Sequence, residues 1–275
     1  MRVAFLGPAG TFTEEALRAS APDGAVPVAY PTVYDTVMAV HERSADRALV
    51  PIENSLEGGV AATLDALATE ASDVRIVAEH IHPIHHCLIA RRPLDLAEVK
   101  RVISHPQAMS QCGALLRGEL AGAERVSSVS TAEAARAVAE SEEPWAALSS
   151  RIAADLYDCL VLRENVEDSG DNETRFVWLA PATDAAPGEG DKTSVVFWGF
   201  NDESPGALVN VLRELSDREI NLTRIESRPR RVGLGHYMFF ADLEGGAEEP
   251  RIAEALAALR ERVQELRVLG SYPSA

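Results

Sequence analysis

Short apolar runs alternate with segments of helical periodicity along the first 180 residues of the chain. The runs RVAFL, VPVAY, RALVPIEN, VKRVIS and WAALSS have the length of buried strands, and the segments between them repeat apolar residues at helical spacing. This alternation predicts an α/β architecture with a parallel or mostly parallel sheet. Polar residues follow several strands, in GPAGT, ENSLEGG and SHPQ, and ligands of open α/β sheets bind at the carboxyl ends of strands. We therefore expect these loops to meet in one cleft.

The pattern changes after residues 180–192, which are rich in alanine, glycine and proline and have the composition of a linker. Beyond them, TSVVFWGF, NLTRIESRPRR, HYMFFADLEG and LRVLGSYP are strand-like, and a helical segment follows the first and the third. The order βαββαβ is typical of a ferredoxin-like domain. The sequence therefore predicts a first domain over 1–180, a linker over 181–192 and a second domain over 193–275.

Composition narrows the class of protein. The 275 residues include 26 basic and 43 acidic side chains, which give a net charge of −17. This charge argues against a nucleic-acid-binding protein and against attraction to anionic membranes. The sequence has neither a signal peptide at its start nor an apolar run of about 18 residues. Its three cysteines lack CxxC spacing, which favours a reducing compartment without a metal cluster. We expect a cytoplasmic protein.

The polar loops permit several kinds of chemistry, and most are disfavoured by spacing. GPAGTFT lacks the lysine of a P-loop, and GxGxxG is absent, so nucleotide binding has no support. In HIHPIHHC, alternation directs His85 away from His82 and His86, and HExxH is absent, so a metal site is disfavoured. Ser104 directly precedes His105 without a GxSxG elbow, which disfavours a serine hydrolase.

The segment DNETRF places a hydroxyl beside a fixed cation where a strand begins. A threonine hydroxyl does not titrate near neutrality, but it can donate a hydrogen bond to a departing oxygen. Strand alternation puts Thr174 and Phe176 on one face and Arg175 on the other. All three side chains reach one site only if the strand is irregular there.

Taken together, the motifs resemble the prephenate dehydratase family. They occur in the family's order over almost the whole chain: GPAGTFT (7–13), VPIENSLEGGV (50–60), HHCL (85–88), SHPQAMSQC (104–112), TRF (174–176), GALVNVL (206–212), ESRP (226–229) and VLGSYP (268–273). The resemblance implies two α/β lobes similar to periplasmic binding proteins, with the substrate between them, and a C-terminal regulatory ACT domain. It also implies a single activity, because the chain begins at the dehydratase motif without a chorismate mutase domain before it.

The resemblance assigns roles to residues of this chain. Thr174 would assist departure of the hydroxyl group, and Arg175 would order the cleft or attract the dianionic substrate. The other positions that match the family's catalytic residues are Glu53, Asn54, Ser104 and Gln111, and those for substrate binding are Thr11, Ser55, Gln107, Arg175 and Phe176. The reaction aromatises a ring as it loses CO2 and water, so the resemblance implies neither a cofactor nor a metal.

Regulation follows from the same resemblance. The effector would be L-phenylalanine, held at an interface between ACT domains, which implies a homodimer or homotetramer. The matching positions are Gly206, Ala207, Leu208, Asn221, Glu226, Ser227, Arg228 and Pro229. Three alternatives remain at this point: an arogenate dehydratase, a non-catalytic amino-acid sensor built from a two-lobed binding fold and an ACT domain, and, more distantly, a metal-dependent hydrolase.

Overall fold

A computed structural model describes residues 1–185, 190–200 and 204–275 of the chain. The strands are β1 (Arg2–Leu6), β2 (Val26–Tyr30), β3 (Arg47–Asn54), β4 (Gly58–Gly59), β5 (Val74–Pro83), β6 (Cys87–Ala90), β7 (Arg101–Ser104), β8 (Glu124–Ser127), β9 (Trp145–Ser149), β10 (Leu160–Arg163), β11 (Glu173–Pro181), β12 (Lys192–Trp198), β13 (Leu222–Pro229), β14 (Tyr237–Glu244) and β15 (Glu265–Tyr272). The helices are α1 (Phe12–Ser20), α2 (Val33–His41), α3 (Ala61–Ala68), α4 (Pro106–Gln111), α5 (Gly113–Arg117), α6 (Thr131–Ala139), α7 (Arg151–Leu156), α8 (Ala207–Ser216) and α9 (Pro250–Arg262).

Two lobes form the N-terminal part of the molecule. The first lobe contains a sheet of order β2-β1-β3-β11-β5, with β4 paired to β3, and the second contains a sheet of order β10-β6-β9-β7-β8. The chain crosses from the first lobe to the second after β5 and returns before β11. At the crossing, the backbone N–H of Ile84 donates to the carbonyl of Asn172 at 2.8 Å. The two connecting segments are thereby joined at the hinge, and the predicted two-lobed architecture is confirmed.

Both sheets are mixed rather than mostly parallel. The pairs β1–β2, β1–β3, β7–β8 and β7–β9 are parallel, whereas β11 runs antiparallel to β3 and β5, and β6 runs antiparallel to β9 and β10. The expectation of a mostly parallel sheet is therefore wrong. The reason is topological: β11 returns from the other lobe and enters the centre of the first sheet in the reverse direction. The strand β10 was not predicted, and the helix expected after SHP is divided into α4 and α5 at Cys112.

The C-terminal part has the predicted βαββαβ order. Its four antiparallel strands lie in the order β13-β14-β12-β15, and α8 and α9 cover one face with an apolar core. The other face packs on the first lobe, where Val196, Phe240 and Tyr272 join a core cluster that also contains Ile76 and Leu67. This sheet is therefore in direct contact with the sheet that contains β5 and β11.

Within the part of the chain that the structure describes, no helix is both long and apolar enough to cross a membrane.

Candidate active site

A pocket of about 280 Å³ lies between the two lobes, near the lower end of the range for small-molecule sites. It is lined by Leu6, Thr11, Phe12, Thr13, Pro51, Asn54, Val60, Ile84, His86, His105, Gln107, Ala108, Gln111, Val129, Ser130, Thr131, Asn172, Thr174 and Phe176. Both lobes and both connecting segments contribute. Among these described lining residues there is no lysine, arginine or acidic side chain, so the polar groups that face a ligand are hydroxyls, amides, imidazoles and backbone.

The N-terminal ends of two nine-residue helices, one from each lobe, meet at the pocket. Thr11 caps α1 by accepting a hydrogen bond from the N–H of Glu14 at 3.3 Å, as its position before the first apolar turn predicts. Ser130 caps α6 in the same way, accepting from the N–H of Glu133 at 3.0 Å. The N-terminus of a helix carries partial positive charge, which favours an anionic ligand. Glu14 and Glu15 in the first turn of α1 and Glu133 in that of α6 offset part of this charge.

A β-bulge brings two residues of β3 to the pocket that alternation would separate. Arg175 pairs with Glu53 and Phe176 pairs with Pro51, so Ile52 is an extra residue opposite β11. Pro51 and Asn54 are three positions apart and would lie on opposite faces of a regular strand. Both line the pocket, because the extra residue reverses the alternation between them.

Thr174 lies at the pocket with only 9% of its surface exposed. Its Oγ1 accepts a hydrogen bond from Nδ2 of Asn54 at 2.9 Å. The two hydrogens of this nitrogen are shared among three acceptors, because Oδ1 of Asn172 at 2.9 Å and the carbonyl of Glu173 at 3.0 Å also accept from it. The orientation of the Asn54 amide is fixed, because its Oδ1 accepts from the backbone N–H groups of Leu56 and Glu57 at 3.0 and 3.1 Å. The hydroxyl hydrogen of Thr174 has no acceptor among the described residues, so it is left to donate into the pocket.

His86, Gln111 and Asn172 form a second polar group at the pocket. Oε1 of Gln111 accepts from Nε2 of His86 at 2.9 Å and from Nδ2 of Asn172 at 3.1 Å. Burial lowers the pKa of His86, so its imidazole is neutral at neutral pH. Nδ1 of His86 and Nε2 of Gln111 are buried and have no hydrogen-bond partner among the described residues. Sequence reasoning missed His86 and Asn172, although HHCL and DNETRF both lay within the motifs.

Six of the predicted site residues line the pocket: Thr11, Asn54, Gln107, Gln111, Thr174 and Phe176. They come from both lobes, so the expected convergence of separate loops is present in the structure. Thr174 and Phe176 share a face of β11 because that strand alternates regularly between them, and the irregularity lies on β3 instead. Their roles in catalysis or binding remain predictions.

The remaining four lie outside the pocket. Ser104 is fully buried beneath α4, where its Oγ donates to the carbonyl of Leu148 at 2.7 Å. Ser55 holds the hinge segment: its Oγ donates to the carbonyl of Asp171 and accepts from the N–H of Glu173. Glu53 and Arg175 do not line the pocket, because both side chains leave the sheet on the side of the C-terminal domain.

Arg175 instead joins the two domains through a buried ionic cluster. Its guanidinium donates to Glu79 at 2.7 Å, to Asp242 at 2.6 Å and to the hydroxyl of Tyr272 at 2.8 Å. The side chains of Arg175, Glu79 and Asp242 are 11%, 1% and 2% exposed. Glu53, at 3.5 Å, lies between Arg175 and Arg224 of the C-terminal domain. Arg175 therefore lies outside the pocket with its charge already neutralised, and this position does not support the prediction that it attracts the dianion.

The predicted effector residues do not form one cluster within a single chain. Gly206, Ala207 and Leu208 line a hollow of about 350 Å³ at the start of α8, together with Phe200 and Tyr237. On β13, Glu226 and Arg228 face the first lobe, where Arg228 pairs with Asp65 at 2.9 Å, whereas Ser227 and Pro229 lie on the exposed side. Asn221 lies at the other end of β13 and donates to Glu244.

No group of three or more histidine, cysteine or acidic side chains within the described ranges is arranged to hold a metal ion. His85 lies outside the pocket and pairs with Glu167 at 2.7 Å, which also accepts from the N–H of His86. The histidine-rich segment therefore shapes the hinge.

Comparison with known proteins gives a consistent result. The family model for prephenate dehydratase matches residues 3–184, and the ACT domain model matches residues 197–261. A prephenate dehydratase from Amycolatopsis methanolica is 42% identical over 276 residues, which cover 100% of this chain and 89% of that protein. The crystal structure of prephenate dehydratase in complex with L-Phe from Arthrobacter aurescens has a TM-score of 0.90 at 39% identity, covering 99% of this chain and 90% of the other. A structure described as a novel type of quorum quenching acylase has a TM-score of 0.88 at 34% identity, covering 100% and 98%.

Proposed function

The chain belongs to the prephenate dehydratase family, and on this premise we propose that the interlobe pocket converts prephenate to phenylpyruvate. We divide the chain into a catalytic domain over 1–180, a linker over 181–192 and an ACT regulatory domain over 193–275. The observation that carries the proposal is the Thr174 hydroxyl, which lines the pocket, accepts from Asn54 and has no acceptor for its own hydrogen among the described residues.

The reaction needs few chemical groups from the protein. The bond from the ring to its carboxylate breaks and leaves its electron pair in the ring, and the C–O bond to the hydroxyl group breaks with its pair on oxygen. The prephenate dianion and one proton thus give the phenylpyruvate anion, CO2 and water. Aromatisation supplies the driving force. The protein accelerates the step only by interactions that strengthen in the transition state, and negative charge develops on the departing oxygen.

Thr174 is the group we assign to that oxygen. Asn54 donates to Oγ1 of Thr174, which polarises the hydroxyl group and leaves its hydrogen for the substrate. We assign Gln111 as a second donor, because its Nε2 has no hydrogen-bond partner among the described residues. We do not assign catalysis to Glu53 or Ser104, since Glu53 faces the ACT domain and the Ser104 hydroxyl is already bonded to the backbone.

The substrate is a dianion, and we propose that helix N-termini bind it. The start of α1 in the first lobe and the start of α6 in the second lobe offer N–H groups and partial positive charge without a mobile cation. Such sites also suit the chemistry, because a full positive charge beside the carboxylate that is lost would stabilise the ground state more than the transition state.

Phenylalanine is the effector we propose, in the hollow beside Gly206 and Tyr237. The strand β13 lies at the edge of its sheet, and its side chains Ile225 and Ser227 are exposed. Ser227 and Pro229 pair with Phe239 and Tyr237, which line the hollow, so a second copy of the chain that packs on this strand would lie next to it. We therefore propose a homodimer or homotetramer, which light scattering at several protein concentrations would test.

The decisive experiment is phenylpyruvate formation from prephenate by the purified chain, with and without L-phenylalanine. Turnover that phenylalanine suppresses supports both the catalytic and the regulatory assignments. Arogenate is assayed in parallel, and a strong preference for it would correct the substrate. Binding of phenylalanine without turnover of either compound would favour the sensor alternative. Hydrolysis of an acylated quorum-sensing signal in place of dehydration would assign the chain to the activity described for its acylase-like structural neighbour.

A further inference from the structure

The hydrogen-bonded amides of Asn54, Asn172 and Gln111 form a continuous path across the hinge between the lobes. Nδ2 of Asn54 donates to Oδ1 of Asn172 at 2.9 Å, and Nδ2 of Asn172 donates to Oε1 of Gln111 at 3.1 Å. Asn54 belongs to the first lobe and Gln111 to the second, and Asn172 lies between them in the connecting segment. Asn172 is only 1% exposed, so water does not compete for these bonds.

The direction of every bond in this path is determined at its first end. Oδ1 of Asn54 faces two backbone N–H groups, which can only donate. Its nitrogen must therefore face Asn172, which in turn must present its oxygen to Asn54 and its nitrogen to Gln111. Reversing either of the next two amides would bring two donors or two acceptors together, which is unfavourable in a buried site.

The far end of the path leaves one group without a partner. Oε1 of Gln111 is occupied by Asn172 and His86, so Nε2 of Gln111 is the atom that remains. Buried donors without a partner are rare in folded proteins, and at a functional site they indicate a group reserved for a ligand. Thr174 is left in the same state at the near end, because it accepts from Asn54 and retains its own hydrogen.

We propose that Asn172 is a positioning residue that fixes the pocket donor of Gln111, by transmitting to that amide the polarity that Asn54 receives from the backbone. This inference rests on the proposed dehydratase function. Asn172 acts through its neighbours: as long as its nitrogen faces Gln111, that amide presents a donor to the substrate. Because Asn172 lies at the hinge, it connects Asn54, which bonds to Thr174 in the first lobe, with the donor of Gln111 in the second lobe.

Two variants of the same size test the proposal. Asn172→Asp keeps the shape but replaces the donor to Gln111 by an acceptor, and Asn172→Leu removes all polarity without adding charge. We expect each to lower kcat by ~10²-fold at pH 8, the scale of a lost transition-state donor. A protonated carboxyl group can donate again, so kcat of Asn172→Asp should recover at least tenfold on acidification towards pH 5, whereas Asn172→Leu should show no recovery relative to wild type.

These results discriminate between the proposal and its alternatives. Wild-type turnover in both variants would overturn it. Equal losses with parallel pH profiles would also overturn it, because a purely structural residue would behave in that way. Normal kcat in Asn172→Leu with a raised KM in Asn172→Asp would assign the effect to charge repulsion of the dianion and reject a role in polarity.

Two further measurements keep the test independent of folding and of the proposed function. If Asn172→Asp does not fold, Gln111→Glu exchanges the pocket-facing donor for an acceptor, and the same loss and acid recovery are expected. Should wild type show no dehydratase activity, the pH dependence of unfolding of Asn172→Asp still decides. A carboxylate that faces Oε1 of Gln111 has a pKa raised beyond the effect of burial, so the stability of Asn172→Asp relative to wild type must fall more steeply above about pH 4 than it does when Gln111→Leu removes the facing oxygen. Equal slopes with and without Gln111→Leu would overturn the inference.

Discussion

Thr174 and Arg175 are consecutive residues of β11, and their side chains leave the strand on opposite faces, Thr174 into the interlobe pocket and Arg175 into the buried contact with the ACT domain. One peptide unit therefore separates the proposed leaving-group donor from the residue that binds Glu79, Asp242 and Tyr272. Any displacement of the ACT sheet that moves Asp242 acts on the backbone that carries Thr174. This is a physical connection between the two domains, and its importance for regulation can be measured.

We expect Arg175→Gln to lower the free energy of unfolding by ~3 kcal/mol, because two buried carboxylates lose their shared cation and keep only Lys192 beside Glu79 and the more distant Arg224 beside Asp242. The milder Arg175→Lys keeps the charge but loses the planar fork that reaches three partners, and it should weaken phenylalanine inhibition several-fold with most basal turnover retained. Chemical denaturation and inhibition curves measure the two effects. Arg151→Gln is the control, because its pair with Glu164 is exposed and should contribute at most ~1 kcal/mol. Unaltered inhibition in Arg175→Lys would contradict the connection.

Thr174→Val removes the hydroxyl group at similar volume. We expect kcat to fall by ~10²-fold or more with little change in melting temperature, because the lost hydrogen bond is one that strengthens in the transition state. Steady-state kinetics and thermal denaturation provide the comparison. Thr183→Val, an exposed threonine outside the pocket, should leave both unchanged. Near-normal turnover in Thr174→Val would remove this residue from the mechanism.

Gly206 tests the effector site. It has a φ of +80°, and a Cβ there would meet no atom of the described residues within 4 Å. We expect Gly206→Val to reduce phenylalanine inhibition more than basal activity. Gly206→Asn is the matched control for the backbone, since asparagine tolerates this conformation better than a β-branched residue. Strong inhibition retained in Gly206→Val would place the effector elsewhere.

Ser227→Ala makes an independent test on β13, at a side chain that is exposed within one chain. If a second subunit completes the effector site here, the substitution should weaken inhibition without changing turnover. Ser204→Ala is the comparison, because Ser204 lies near the start of α8 and its hydroxyl lines the hollow within the same chain. Equal inhibition of Ser227→Ala and wild type would argue against the β13 edge as part of the site.

Stability should depend on pH through His86. Burial lowers the pKa of His86 below the value of about 6.5 that it has when unfolded, so the unfolded chain binds more protons in this window. The contribution of His86 is complete above pH 6.5 and is lost progressively as pH falls below it. His86→Asn should reduce this slope of unfolding free energy between pH 6.5 and 5. The pKa of His80 is also lowered, by burial and by His82, so His80 contributes to the slope with the same sign. A His80→Asn variant measures that contribution separately. An unchanged slope in His86→Asn would show that the imidazole is not buried in its neutral form.

The cysteines provide a simple check of the packing. Burial raises the pKa of Cys87 to about 11 and that of Cys112 to about 12, so neither is a thiolate at neutral pH. We expect iodoacetamide to leave native activity unchanged and to modify the thiols only after denaturation. Rapid inactivation would indicate that the second lobe opens locally.

Local signals in the sequence were sufficient for most of the elements. A hydroxyl residue before an apolar turn, Thr11 or Thr13, predicted the start of α1, and the structure has Thr11 as the cap. The strand β3 was predicted over its full length from RALVPIEN. The βαββαβ order of the C-terminal domain followed from periodicity alone. These features depend on contacts between residues that are close in the chain, and such contacts are encoded in spacing. The order of motifs added the family, and with it the expectation of a cleft between two lobes.

What covers each face of a strand was decided only by the tertiary structure. Alternation placed Thr174 and Arg175 on opposite faces, but it did not reveal that the ACT domain packs on the face of Arg175 and neutralises it. The bulge at Ile52, which brings Asn54 to the pocket, has no local signature. Asn172 owes its contacts to the return of the chain before β11, which brings it beside Asn54 of the first lobe and Gln111 of the second. Both residues are more than 60 positions away from Asn172 in sequence. Such long-range pairings depend on how sheets pack and where the chain crosses between lobes, and spacing along the chain does not encode them.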